Sequence, residues 1–458
     1  MREDDLRRIW QERTWVEPLV TTHGQKLTVI STGIPGEAVG PDFRDAALLL
    51  DGHATVTGDV ELHLKSSDWS AHGHSRDPTY NNVRLHVVWE QNGDNTARLQ
   101  NGLEVTTLVL SKPIQINFSP PCLEAASVIN KAELLRLLEG AGEYRFRLKG
   151  QDILKAMEVY SPLEVLYQGI MEALGYSANS KPFLQLACNL PLAVLTNYGA
   201  KTEPEEAVDA FQGVLLGAAG LLPPGSDQPI QYERYWWGFL RDRSEQWKHA
   251  GRGIGSNEAA ERCKNYGWDL RGRPHNSPVR RLAGAGALLA RNKHRNIIEH
   301  LISLLVEDLS NPVDNLEKAL EVKASGCWSV YWDFARPLQG AAPALIGRGR
   351  ARVIVVNIVL PFLWAFGTAE GHTVLTAMAM DAFSAWPKSD DDRIIRHMQN
   401  KLGVTTKSFN GLKAVHQAGM HHLYRNLCVF GKCGECSIYK ALESNGTDTL
   451  REVSNRAL

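Results

Sequence analysis

Asp42, Glu61, His63 and Lys65 are the residues of this chain whose types and spacing most resemble a hydrolytic metal site. In Asp59-Val60-Glu61-Leu62-His63-Leu64-Lys65 polar and apolar residues alternate. Strand side chains point to alternate faces, so Val60, Leu62 and Leu64 share one face, and Asp59, Glu61, His63 and Lys65 the other. Asp42 follows Pro41 at the edge of the preceding predicted strand, 46–50. Carboxylates on neighbouring strands can converge on a hard divalent cation such as Mg²⁺ or Mn²⁺. A base or cation beside a metal-activated water is what phosphodiester hydrolysis needs, and His63 and Lys65 share the face of Glu61. The candidate catalytic residues are therefore Asp42, Glu61, His63 and Lys65. Glu3, on a predicted first helix, is a further acidic candidate.

A second group follows at once: Asp68-Trp69, His72-Gly73-His74, Asp77, Tyr80 and His86. Four histidines and two aspartates fall within residues 63–86, a density that suits Zn²⁺, Mn²⁺ or Fe as well as proton transfer near neutral pH. The candidate metal ligands are Asp42, Glu61, His63, His72, His74, Asp77 and His86. Their spacing matches no closed zinc motif, so Mg²⁺, Mn²⁺ and Zn²⁺ all stay open. The ordinary alternative is a hydrated loop whose histidines cap turns.

Late in the chain, Cys428, Cys433 and Cys436 form C-x4-C-x2-C after His416, His421 and His422. Thiolates at this spacing can wrap Zn²⁺ or an iron–sulfur cluster. His421, His422 or one of Cys122, Cys188, Cys263 and Cys327 would have to supply the fourth ligand. The expectation is a structural metal, against buried thiols as the alternative. In the middle of the chain, Arg273, Arg280 and Arg281, with Arg348, Arg350 and Arg352 beyond, could hold phosphates, and Tyr235, Trp236 and Trp237 could stack bases. Arginine in a helical domain is also commonly an ion-pair partner, and tryptophan is commonly core. No P-loop, Rossmann fingerprint or Gly-x-Ser-x-Gly elbow is present.

The elements that must position these residues change character along the chain. A helix is expected over 2–13, strands over 26–31, 46–50, 59–65 and 83–89, and hairpin-like pieces over 103–110. Three prolines in 111–121 mark a domain edge. Helical spacing then dominates, in 132–138, 162–174, 182–196, 207–218, 279–289 and 297–305. The expected architecture is α+β: a mixed α/β domain over 1–115, then a mostly helical domain over 122–458 carrying the cysteines.

The chain has 458 residues, 43% hydrophobic and 22% charged, with a net charge of −1. That is a globular balance for more than one core, without a global charge to drive binding. Residues 1–120 carry 11 Lys and Arg against 16 Asp and Glu, a net of −5 that leaves +4 for the rest. No basic stretch leads into an apolar run at the start, and the apolar stretch 353–367 reads as a core helix rather than a bilayer span of roughly 20 residues. Seven cysteines without a secretion signal do not suggest a disulfide framework. The expectation is a cytoplasmic protein without a membrane partner.

The order helix, strand, Pro41-Asp42, strand with Glu61-Leu62-His63, helix, strand resembles the PD-(D/E)xK nuclease core. His63 stands where that family has lysine, and Lys65 lies two residues on. The resemblance implies Asp42 and Glu61 as metal ligands, with His63 or Lys65 helping to activate water. As a whole the chain resembles the bacterial family of domain of unknown function 2851. That likeness rests on Gly40-Pro41-Asp42-Phe43, Gly58-Asp59-Val60-Glu61-Leu62-His63, Asp68-Trp69, His72-Gly73-His74 and Leu85-His86-Val87-Val88. Leu174-Gly175-Tyr176, Arg273-Pro274-His275-Asn276-Ser277-Pro278 and the late cysteines complete it. It implies no particular activity.

The leading expectation is a metal-dependent phosphodiester hydrolase acting on nucleic acid. A non-catalytic nucleic-acid-binding scaffold on a degenerate nuclease core is the second, predicting a basic groove made by Arg273, Arg280 and Arg281. A small-molecule metallohydrolase using the 63–86 histidines is the third, predicting an enclosed pocket.

Overall fold

The computed structural model describes residues 2–15, 18–36, 40–93, 96–110, 129–223, 230–249, 266–271, 276–306, 311–404 and 411–444. The chain folds into two compact units, Met1–Arg145 with Asp391–Leu458, and Phe146–Asp390. The division differs from the one the composition suggests, because the segment from Asp391 onward returns to the sheet instead of continuing the helical domain.

The first unit is a mixed sheet with helices. Its strands are β1 (Leu19–Val20), β2 (Lys26–Ser31), β3 (Ile34–Pro35), β4 (Phe43–Leu50), β5 (Ala54–Lys65), β6 (Val83–Glu90) and β7 (Thr106–Val109). The spatial order is β1-β2-β4-β5-β6-β7, with β3 paired to β4. β1 to β5 pair antiparallel, while β5–β6 and β6–β7 are parallel. Of the residues expected to form hairpin-like pieces over 103–110, 103–105 pair back antiparallel on 97–99, while Thr106–Val109 add a parallel strand beside β6. A parallel pair needs a crossover of about a dozen residues or more. Residues 66–82 supply it, with helix α2 (Asp68–Ala71) and two 3₁₀ turns, His74–Arg76 and Pro78–Tyr80. The strands approach closely at Gly58, where a Cβ would lie 2.6 Å from the Asn82 carbonyl oxygen.

One face of this sheet is closed by helix α1 (Glu3–Glu12), which buries Leu6, Ile9 and Trp10 and carries Glu3, Asp4 and Asp5 in its first turn, where acidic groups favour the positive helix end. Trp10 and Leu6 pack with Phe43, Leu48, Val60, Leu62, Leu85 and Val87. Each such fully buried side chain contributes about 1.5–3 kcal/mol. Ala47 points to the opposite core, with Leu138 of helix α3 (Lys131–Met157), Ile395 and Met398 of α4 (Arg393–Lys401), and Met420 and Leu423 of α5 (Ala414–Asn426). Because both faces are covered, every residue from Gly58 to His63 is buried, the polar ones included.

The second unit is helical. Pro162–Leu174 and Ala207–Ala218 form at the positions their spacing predicts. The stretch 182–196 is instead divided between Tyr176–Asn189 and Leu192–Ala200, because Pro191 lacks the amide a continuous helix would need. Ala207–Ala218 is buried nearly all round, and Gly217 lets the Trp236 ring approach to where a Cβ would be 2.3 Å away. Arg348–Ala369 is the one helix among the described residues long and apolar enough to cross a membrane, and 61% of its most apolar window is buried inside the protein.

Candidate metal centre

The polar face of β5 and the crossover after it build one site. Glu61 and His86 are register partners on the parallel strands β5 and β6 and point the same way. His72 ends α2, and Gly73, at φ +77°, turns the chain so that His74 faces back toward the sheet. Trp69 and Tyr80 wall the site: Tyr80 lies 3.8 Å from the His74 ring, and Trp69 lies 5.1 Å from His86 and 5.3 Å from His74, centroid to centroid. Trp69 is itself fixed by its indole N–H, which donates to the Arg98 carbonyl at 2.9 Å.

His63 Nε2 is the hub. It lies 3.0 Å from His72 Nδ1, 3.3 Å from His74 Nε2 and 3.6 Å from Glu61 Oε1. Glu61 Oε1 is in turn 3.3 Å from His74 Nε2. Nitrogen and oxygen ligands about 2.0–2.1 Å from one ion, about 90–109° apart, would be separated by about 2.9–3.4 Å. Three of these four separations fall in that range, and the fourth is slightly longer. The ligand atoms of His63, His72 and His74 all lie within 4.8 Å of one another, the group among the described residues that could hold a metal ion. His63, His74 and Glu61 are buried, while His72 is exposed and opens the site to solvent.

Burial and then the neighbouring imidazoles of His86, His74 and His72 push the His63 pKa down to about 2. Burial followed by His74 pushes His86 down to about 3. Both rings are therefore neutral near pH 7, with a lone pair to give, and the approach of His63 to Glu61 is a contact of a neutral ring rather than an ion pair. On its outer side, His63 Nδ1 meets His86 Nε2 at 2.9 Å. If His63 donates there, its Nε2 lone pair faces the cluster, the orientation that a hydrogen-bonding partner behind a ligand imposes on metal-binding histidines. The outer nitrogen of His86, Nδ1, is buried and meets no partner.

Asp42 belongs to the same locality but not to the convergent atoms. Its Oδ2 accepts the Leu62 amide at 2.9 Å, and its Oδ1 pairs with Arg7. Its own amide donates to Glu61 Oε2 at 3.0 Å. Burial raises both carboxyl pKa values. Arg7 is the largest opposing influence on Asp42, and the His74 hydrogen bond the largest on Glu61. Arg7 has no motif to announce it; only helical spacing on α1 places it beside the buried Leu6 and Trp10.

The other candidates lie elsewhere. Lys65 is exposed at the end of β5, where its amide donates to Asp68 Oδ2 at 3.1 Å. Asp77 caps the Pro78–Tyr80 turn, accepting from the Thr79 amide at 2.8 Å. Glu3 is exposed on α1. Cys428 and Cys436 are partly buried and Cys433 is exposed, and the three thiols do not form a convergent ligand group among the described residues.

Arg280 and Arg281 correct the expectation of a basic groove. Arg280 is 0% exposed and donates to the carbonyls of Trp328, Tyr331 and Pro343. Arg281 is 5% exposed and donates to the Leu345 carbonyl and the Tyr176 hydroxyl. Guanidiniums so enclosed do not line an open groove for the backbone of a nucleic acid. Arg273 lies outside the described residues. Arg348 and Arg352 pair with the fully buried Glu317, and Tyr235 and Trp236 are core, whereas Trp237 is exposed.

A family model described as "Protein of unknown function (DUF2851)" matches residues 3–392. The match takes in the whole histidine site and ends before the late cysteines. No curated protein and no solved structure matches the chain.

Proposed function

The chain belongs to the DUF2851 family, and on that footing we propose that its N-terminal site is a metal-dependent hydrolytic centre acting on phosphodiesters, with nucleic acid as the first substrate class. The carrying observation is the set of four ligand atoms, from His63, His72, His74 and Glu61, separated by 3.0–3.6 Å where they adjoin. This donor set is three nitrogens and one oxygen. It suits Zn²⁺, Fe or Mn²⁺ better than Mg²⁺, which prefers oxygen ligands and retained waters.

A bound ion would supply Lewis acidity and a water activated near neutral pH. The protein's own groups do the rest. His86 orients His63, Trp69 and Tyr80 exclude bulk water, and Asp42 holds Glu61 in place through the backbone of both strands. Arg7, with half of its side chain exposed, offers a cation beside the site for an anionic group. The phosphodiester reading draws support from strand order: an acidic residue opens β4, a second sits on the antiparallel β5, and a helical crossover leads to the parallel β6.

One observation favours a second reading, a metallohydrolase of small phosphorylated molecules. Of the converging side chains only His72 is exposed, which suits an enclosed pocket better than a groove for a duplex. The test is metal analysis of the purified protein together with hydrolysis of single- and double-stranded DNA and RNA and of bis(p-nitrophenyl) phosphate. Glu61→Gln and His74→Ala serve as controls. Cleavage of the small ester alone would favour the second reading. A protein that binds no transition metal would end both.

A further inference from the structure

In the second unit, Arg281 and Arg350 flank one aromatic ring without a carboxylate. Arg350 stacks on Tyr176, and the Arg281 guanidinium carbon is 5.1 Å from the same ring's centroid. Arg281 reaches the Tyr176 hydroxyl at 2.8 Å and Asn276 Oδ1 at 3.1 Å; Arg350 reaches the Ala173 carbonyl at 3.1 Å. The Nε atoms of both are buried and meet no partner, as is that of Arg280. Burial first, and the like charge of Arg281 with it, push the Arg350 pKa down to about 10, against the opposing pull of Tyr176. The neighbouring cations are treated differently: Arg348 meets Asp314 and Glu317, and Arg352 meets Glu317. Among the described residues no carboxylate pairs with Arg281 or Arg350.

Enclosing guanidiniums without a counter-charge is costly, and carbonyls and a π-face only partly offset it. Tyr176 itself holds φ +56°, a left-handed conformation that a bulky residue rarely adopts. Strain of that kind persists where the surroundings over-determine it.

We propose that Arg281, Arg350 and the Tyr176 hydroxyl form a binding site for a small oxyanion, the phosphate or carboxylate group of a ligand. Unpartnered Nε–H groups are suited to the fork-like contacts that guanidiniums make with both. Arg350 is only partly buried, which makes it the more accessible of the two guanidiniums. The site is independent of the metal centre.

The test uses the full chain, with inorganic phosphate and acetate as probes against chloride at matched ionic strength, read by calorimetric titration and by melting temperature. The expected result is saturable binding of one or both probes, weakened about tenfold in Arg350→Gln and weakened less in Arg350→Lys, which keeps the charge but loses the fork. Stronger binding of phosphate or of acetate identifies which group the ligand carries. If Arg350→Gln does not fold, Tyr176→Phe, which keeps the ring and removes the hydroxyl, is expected to weaken binding about threefold. Absence of saturable binding by either probe overturns the proposal, and so does equal affinity in the wild type and the substituted protein.

Discussion

The amide of Asp42 donates to Glu61 Oε2 at 3.0 Å while Asp42 Oδ2 accepts the amide of Leu62 at 2.9 Å, so two carboxylates 19 residues apart clamp β4 to β5. Each acid serves the other's strand. The carboxylate of Asp42 is thereby a positioning group, and Glu61 keeps one oxygen, Oε1, for the histidines. Asp42→Ala leaves the Leu62 amide unpaired in a buried site and should cost about 2–4 kcal/mol. Asp42→Asn, which can still accept that hydrogen bond, should cost less. Urea denaturation of the metal-free proteins measures both, and equal losses would mean that the clamp is not what Asp42 contributes.

Metal retention should depend on the histidines in a graded way. His63→Ala and His74→Ala are expected to lose the ion on dialysis, whereas His86→Phe should keep it with affinity lowered about 10–100-fold, as for partners behind a ligand. Competition against a chelator of known affinity reads the difference. Removing the ion from the wild type should lower its melting temperature, because a ligand that binds only the folded state stabilises it by mass action. No change on chelation would count against a site in the folded protein.

The late cysteines provide a contrast. Their thiols do not converge, so Cys433→Ser should leave the metal stoichiometry of the purified protein unchanged. A loss of one equivalent would instead establish a second, structural ion.

Acid should destabilise the metal-free protein through its buried histidines. Burial pushes His416 down to about 4 and His86 to about 3, below the usual value of about 6.5. The unfolded chain therefore binds more protons, and this stability is complete above about pH 6.5 and is lost as pH falls toward the folded values. Asp42 and Glu61, raised in the fold, act with the opposite sign: their contribution is full below the unfolded values, near pH 4, and is lost as pH rises from there through the raised folded values. Unfolding free energy should thus fall from pH 7 to pH 5, and His416→Gln should flatten the fall. A slope unchanged by that substitution would reassign it to other groups.

Arg280→Met should destabilise the helical unit by about 2–4 kcal/mol, since it strands three carbonyls that now share one guanidinium. It should leave affinity for DNA or RNA, where any exists, unaffected at matched fold. Loss of nucleic-acid binding in a folded variant would restore the groove reading.

Much of the candidate site is legible in residue type and spacing alone. The alternation from Asp59 to Lys65 places Glu61 and His63 on one face, because a strand's period of two leaves no other choice, and the density of histidines over 63–86 marks the crossover that faces them. What alternation cannot show is where that face ends: Lys65 has the same parity as His63 but lies beyond the covered part of the strand, in solvent. Nor can residue type distinguish a ligand from a cap. Asp77 accepts from an amide of its own turn, and Asp42 accepts from the Leu62 amide twenty residues on, a partner that only strand pairing brings near.

The arginines mark the other limit. Local sequence establishes that Arg280 and Arg281 begin a helix, since Ser277-Pro278 is a start signal. Their burial is decided by carbonyls that arrive from residues 328–345, more than forty positions away. The return of the helices after Asp391 to the sheet is likewise tertiary. Periodicity records which face of a helix is apolar, but it carries no information about which distant surface will cover it.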